Sequence, residues 1–124
     1  NRSVVFLSDL ISRYPNADEI YRQISELFQM YRDRRYHLYV KYHPRETTPW
    51  DFPEDVQIIP SSYPSELLLA QNQGKDMICI GNASTSIILS VKFGFETFSL
   101  IRKCSKNPNK DIVDFYKRIG IKFI

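Results

Sequence analysis

His43 and the triplet Ser84-Thr85-Ser86 are the residues of this chain best suited to chemistry on a phosphate. An imidazole titrates near neutrality and can place a positive charge or a proton on a phosphate oxygen. Hydroxyls at a helix start add donors to the unpaired backbone N–H groups and the positive dipole end already there. His43 lies in Tyr42-His43-Pro44-Arg45, which ends an alternating, β-rich run, and the triplet follows the apolar run Met77-Ile78-Cys79-Ile80. If the two runs are neighbouring parallel strands, their carboxyl ends open into one crevice, where open α/β sheets bind ligands. Asp9, at the end of a first apolar run, could face that crevice as a general base or simply form a turn. Arg45 could touch phosphate or sit in solvent. Glu66 could bind ribose hydroxyls, yet an acidic residue in a first helical turn is favourable by dipole alone. Trp50 could stack on a ring or anchor its proline-rich loop.

The elements that must hold these residues follow from periodicity and punctuation. Ser3 to Leu7 is β-branched and apolar, the pattern of a strand buried on both faces. Asn16 can cap a helix with Glu19 three positions on, and Ile20, Ile24, Leu27, Phe28 and Tyr31 recur at helical spacing, predicting a helix from Ala17 to about Arg34. His37 to Tyr42 reads as the second strand, stopped by Pro44. Pro49 and Pro53 make the following stretch a loop. Val56 to Pro60 is a short third strand, after which Pro64 can open a helix whose buried side is Leu67, Leu68 and Leu69. Met77 to Ile80 suits a central strand ended by Gly81-Asn82. Ser84 can cap the next helix, with Ile87, Ile88 and Val91 inward and Gly94 at its end. Thr97 to Ile101 predicts a fifth strand, Lys103 to Lys110 a polar loop, Asp111 to Arg118 a helix and Ile121 to Ile124 a last strand. This alternation predicts an α/β, Rossmann-like open parallel sheet of about six strands, with helices on both faces and strand order 3-2-1-4-5-6. Only the connection between the second and third strands lacks an obvious helix.

Composition narrows the function. With 124 residues the chain fits one domain, residues 1–124, large enough for its own core. A net charge of +3, with basic residues scattered among acidic ones, implies no dedicated nucleic-acid surface but leaves anionic small ligands open. Cys79 and Cys104 lack metal-ligand spacing, and Cys79 sits in an apolar run as a small hydrophobe, which suggests a reducing, cytoplasmic setting. No apolar stretch approaches the roughly 20 residues that span a bilayer. Neither G-x-G-x-x-G nor a Walker pattern occurs, which speaks against dinucleotide and nucleoside-triphosphate chemistry.

Three segments in order, Lys41-Tyr42-His43-Pro44-Arg45, Pro64-Ser65-Glu66-Leu67-Leu68 and Gly81-Asn82-Ala83-Ser84-Thr85-Ser86, resemble the bacterial sialyltransferases, the lipooligosaccharide sialyltransferases and capsule polysialyltransferases among them. The resemblance covers nearly the whole chain. It implies the nucleotide-binding, C-terminal half of a two-domain GT-B glycosyltransferase, with CMP-sialic acid as donor substrate, a glycan as acceptor, and no cofactor or metal. By this resemblance His43 contacts the donor phosphate and acts as general acid toward departing CMP. Ser84, Thr85 and Ser86 hold that phosphate, and Glu66 sits near the cytidine ribose. Asp9 is the nominee for base, with inversion at the anomeric carbon. The chain is then expected to be a fragment whose acceptor domain precedes Asn1, to bind CMP weakly and to transfer little alone. A homodimer or a peripheral position at the inner face of the cell membrane is compatible with this reading. A donor domain for CDP-glycerol or a UDP-sugar, or a non-catalytic α/β interaction module, is the alternative.

Overall fold

The computed structural model describes residues 1–124. Its six strands are β1 (Ser3–Leu7), β2 (His37–Lys41), β3 (Val56–Ile59), β4 (Met77–Gly81), β5 (Glu96–Ser99) and β6 (Lys122–Phe123). They form one sheet in the order β3-β2-β1-β4-β5-β6, and every pairing is parallel. The helices are α1 (Ala17–Asp33), α2 (Ser65–Gln71), α3 (Thr85–Lys92), α4 (Ile101–Cys104) and α5 (Lys110–Ile119), with a 3₁₀ turn at Ile11–Arg13. This is the expected Rossmann-like α/β architecture, with the expected strand order.

Two apolar clusters, one on each face of the sheet, make up the core. Alternate residues of β1 divide between them: Val4 and Phe6 join Leu38, Val40 and the α1 residues Ile20, Ile24 and Phe28. Val5 and Leu7 instead join Leu69, Cys79, Ile87 and Tyr116. Since successive strand side chains point to opposite faces, a central strand covered on both must be apolar throughout, as β1 is. Cys79 is fully buried, and burial pushes its thiol up to about 12, so it packs as a hydrophobe.

The connection from β2 to β3 contains no helix. Its place on the α1 face is taken by aromatic side chains: Trp50 stacks on Tyr14 with ring centroids 5.9 Å apart and planes 5° apart, and Phe52 packs against Phe28 at 5.6 Å. Trp50 therefore anchors its loop. The Tyr42 hydroxyl adds a hydrogen bond to the Trp50 carbonyl at 3.0 Å.

Several local expectations are corrected. The fifth strand ends at Ser99 rather than Ile101, because the Ser99 hydroxyl accepts the Ile101 N–H at 3.1 Å and the chain turns into α4, which takes up the expected strand end and the first residues, Lys103 and Cys104, of the expected polar loop. The last strand shrinks to two residues. Leu69 alone of its triplet is buried, and Leu67 is exposed, since consecutive helical residues cannot share one face. Asn16 stands at the start of α1 without capping it, because its side-chain amide donates to the Cys104 carbonyl instead.

Gly81 ends β4 in a tight space. A Cβ there would overlap Ile87 Cγ2 and lie 3.2 Å from the Leu7 carbonyl oxygen. Gly81→Ala is therefore expected to destabilise the chain by about 1–3 kcal/mol, the usual cost of overpacking, as measured by urea unfolding.

Candidate functional site

Leu7 pairs with Lys41 of β2 on one side and with Gly81 of β4 on the other, so three strands finish level. Beyond their ends lies a cavity of about 270 Å³ whose walls come from all three following segments: Ser8, Asp9 and Arg13 after β1, His43 and Pro44 after β2, and Ser84, Thr85 and Ser86 after β4. The imidazole and the hydroxyl triplet thus border one crevice. Asp9 is there too.

Each wall is fixed by local bonding. The Ser8 N–H donates to the Lys41 carbonyl at 2.9 Å, holding the first two strand ends together past the last ladder pair. The His43 carbonyl accepts the Glu46 N–H at 2.9 Å, which closes a turn through Pro44 and Arg45. In that turn His43 Nδ1 accepts the Arg45 N–H at 3.1 Å. A neutral ring so held carries its proton on Nε2, leaving that nitrogen as the donor. On the opposite wall, the Ser99 hydroxyl donates to the Asn82 carbonyl at 2.5 Å, fixing the turn before α3. The Ser86 hydroxyl donates to Ser65 Oγ at 3.2 Å and so ties the starts of α3 and α2 together.

Ser84 is the N-cap residue of α3 by position, but its side chain makes no cap bond. Its buried hydroxyl turns toward the Leu7 carbonyl at 3.5 Å, which corrects the expected cap. The first N–H groups of α3 are left without a side-chain acceptor, at the end of the helix where partial positive charge collects. Thr85 is exposed beside them.

Asp9 is more than half buried, and that burial raises its carboxyl above the ordinary 3.8, opposed in part by the Ala83 backbone N–H and by the charges of His43 and Arg13. A carboxylate made more basic in this way is suited to accept a proton. The Tyr14 hydroxyl accepts the Asp9 N–H at 2.9 Å. Arg45 and Glu66 stand outside the cavity walls: Arg45 is exposed and meets His43 through its backbone, and Glu66 is exposed in the first turn of α2, one residue from Ser65.

Two cations were not singled out in the sequence. Arg13, exposed on the 3₁₀ turn, lines the cavity, and so does Lys41, only 3% exposed at the end of β2. The Lys41 ammonium donates to the carbonyls of Tyr42 at 3.0 Å and Ser61 at 3.4 Å and has no carboxylate partner. Burial lowers its pKa. An ammonium desolvated without a counter-charge lacks the Coulombic return that offsets burial, and an anion in the cavity would supply it. Its position directly before Tyr42-His43-Pro44 was the available signal, masked by its place inside a strand.

A parallel sheet with a cationic, hydroxyl-lined crevice at its switch point defines a Rossmann-like fold with a place for an anion. A family model described as alpha-2,8-polysialyltransferase (POLYST) matches residues 1–101, and the chain belongs to that family of glycosyltransferases. Comparison with curated proteins and with solved structures gives no match. No helix of the chain is long and apolar enough to cross a membrane.

Two outcomes test this electrostatic description. Lys41→Met should leave the melting temperature unchanged or higher, because a buried unpaired charge is removed. An anion taken up by the cavity, with inorganic phosphate as the probe, should bind roughly 10- to 100-fold more weakly to this variant, the equivalent of one charged hydrogen bond, as read by calorimetry. For Asp9 the raised carboxyl means that ionisation costs stability, fully so above its folded midpoint and not at all below the unfolded value near 3.8. Asp9→Asn should therefore raise the melting temperature at neutral pH, with the gain shrinking as pH falls toward 3.8.

Proposed function

We propose that this chain is the donor-binding domain of an inverting, metal-independent sialyltransferase that uses CMP-sialic acid. The observation that carries the reading is the shared crevice: Lys41 and Arg13 supply positive charge, and His43, Ser84, Thr85 and Ser86 supply donors, around a single space at the strand ends. Membership of the polysialyltransferase family gives the reaction class, and the description of that family supplies the proposed linkage, α2,8 onto a sialic acid already in the chain.

In the proposed reaction the bond between the anomeric carbon C2 and the phosphate oxygen breaks, and its electron pair stays on the phosphate. C2 gains oxocarbenium character as negative charge grows on CMP. His43 acts from its imidazolium form, in which Nδ1 lets go of the Arg45 N–H; it passes the Nε2 proton to the departing phosphate and is left neutral, while the hydroxyls and N–H groups at the start of α3 stabilise the growing charge. The acceptor hydroxyl attacks C2 from the opposite face and passes its proton to Asp9, which inverts the centre. Because the cations of the crevice meet the leaving-group charge, transfer needs no divalent ion. The site for the glycan acceptor is proposed to be completed by a further domain, so this chain alone binds donor and transfers little. Glu66, exposed at the start of α2, is placed at the ribose in this reading, and Arg45 near the outer phosphate oxygens.

Titration calorimetry with CMP in EDTA-containing buffer tests the assignment. Binding is expected in the parent chain, with a loss of roughly 10- to 100-fold in His43→Ala, as for one charged hydrogen bond. Tighter binding of a uridine nucleotide than of CMP would move the donor assignment to a UDP-sugar. No binding of CMP by the parent chain would overturn the reading.

A further inference from the structure

Glu46 is absent from the cavity walls, yet it makes the one hydrogen bond that joins the His43 turn to the segment carrying Asp9 and Arg13. Its Oε1 accepts the Ile11 N–H at 2.8 Å across 35 residues of sequence, while Oε2 accepts the Thr48 N–H at 3.2 Å. Its own N–H donates to the His43 carbonyl.

The bond to Ile11 fills a local deficit. Ile11 opens the 3₁₀ turn, and the residue at the N-cap position is Leu10, whose side chain cannot accept a hydrogen bond. A helical turn needs an acceptor for its first N–H groups, and a carboxylate is the favoured one at that pole. Glu46 supplies it from the neighbouring loop. Because the same residue closes the turn through His43, the cap also sets the span between the two walls: β1 continues through Ser8 and Asp9 into the capped turn, and β2 continues through Tyr42 and His43 to Glu46. The stack of Tyr14 on Trp50 holds the far end of the same segment.

We propose that Glu46 is a positioning residue that fixes Asp9 opposite His43, acting through the Ile11 N–H rather than through any contact with substrate. The inference rests on the proposed roles of His43 and Asp9 for its functional meaning, but the geometric claim stands apart from them. Asp9 meets charge or polar groups from several elements: His43 across the crevice, Arg13 and Tyr14 on its own segment, the Ala83 N–H before α3, and Tyr116 of α5. Of these, His43 is the one whose distance Glu46 governs from the other wall.

The test is a coupling cycle read by carboxyl ¹³C NMR on the 124-residue chain, with no ligand present. In the parent, His43→Ala should raise the midpoint of Asp9, since the interaction with His43 that lowers it is removed. In a Glu46→Ala background that rise should vanish. Glu46→Gln keeps a carbonyl acceptor of the same reach and should retain the rise, whereas Glu46→Asp keeps the charge but is one methylene short and should lose it. A residue that contributed only stability would lower the melting temperature without separating Gln from Asp in this way. An Asp9 response to His43→Ala that is equal in the Glu46, Asp and Gln backgrounds overturns the proposal, also where Glu46→Ala fails to fold. CMP calorimetry on Glu46→Asp separates the two levels. If the parent binds CMP and the variant binds it equally while coupling is intact, the positioning role fails and the donor reading stands. If the coupling is lost in the variant but the parent ignores CMP, the positioning role stands and the donor reading fails.

Discussion

Leu7 is held between Lys41 and Gly81 in continuous parallel ladders, and that register is the constraint on which the site depends. Three strands ending at one level must send their continuations somewhere, and the two apolar faces of the sheet dictate where. After β2 the chain stays on the face of α1, where Trp50 and Phe52 pack, while after β4 it enters α3 on the opposite face. The divergence leaves a gap above β1. No side chain has to be excluded to make that crevice, because it is the place where two layers part company. Gly81, with the Leu7 carbonyl and Ile87 pressed against it, is the point where the wall on the α3 side begins.

The chain spends stability in that gap. Ser8, Lys41 and Ser84 are among its few buried polar residues, and all three line the crevice. Burial presses Asp9 and Lys41 toward their neutral forms. Opposed shifts of this kind are a common trait of sites where ligands bind and react. Buried side-chain polar atoms all find a hydrogen-bond partner, those of the crevice included. Cys79 is a plain packing residue.

Much of the scaffold was legible because hydrophobic periodicity and parallel pairing are nearly local rules. Val4 to Leu7, apolar at every position, announces a strand covered twice, and the alternation with helices forces crossovers that leave few strand orders. Contacts remote in sequence were not legible. Nothing near Ile11 says that Glu46 will accept its N–H, and nothing near Asn16 says that the Cys104 carbonyl will take its amide from the cap. Ser84 misled for the same reason: its residue type favours capping, but tertiary burial turned the hydroxyl toward Leu7. The connection after β2 showed no obvious helix, with either a short helical turn or an irregular path left open, and it is irregular; the aromatic ladder found there depends on partners in α1 and β1 that pattern alone does not connect. Lys41 opens one of the segments that carry the family resemblance, but its place in a strand left it without a role.

Trp50 is the only tryptophan in the chain, and it sits face to face with Tyr14, whose hydroxyl in turn holds the backbone of Asp9. The indole is thus two contacts from the floor of the crevice without touching it. Its emission is a built-in optical gauge of that region: a shift of the β1 segment alters the ring's surroundings, whereas a ligand that enters without disturbing the segment leaves the fluorescence dark to its presence.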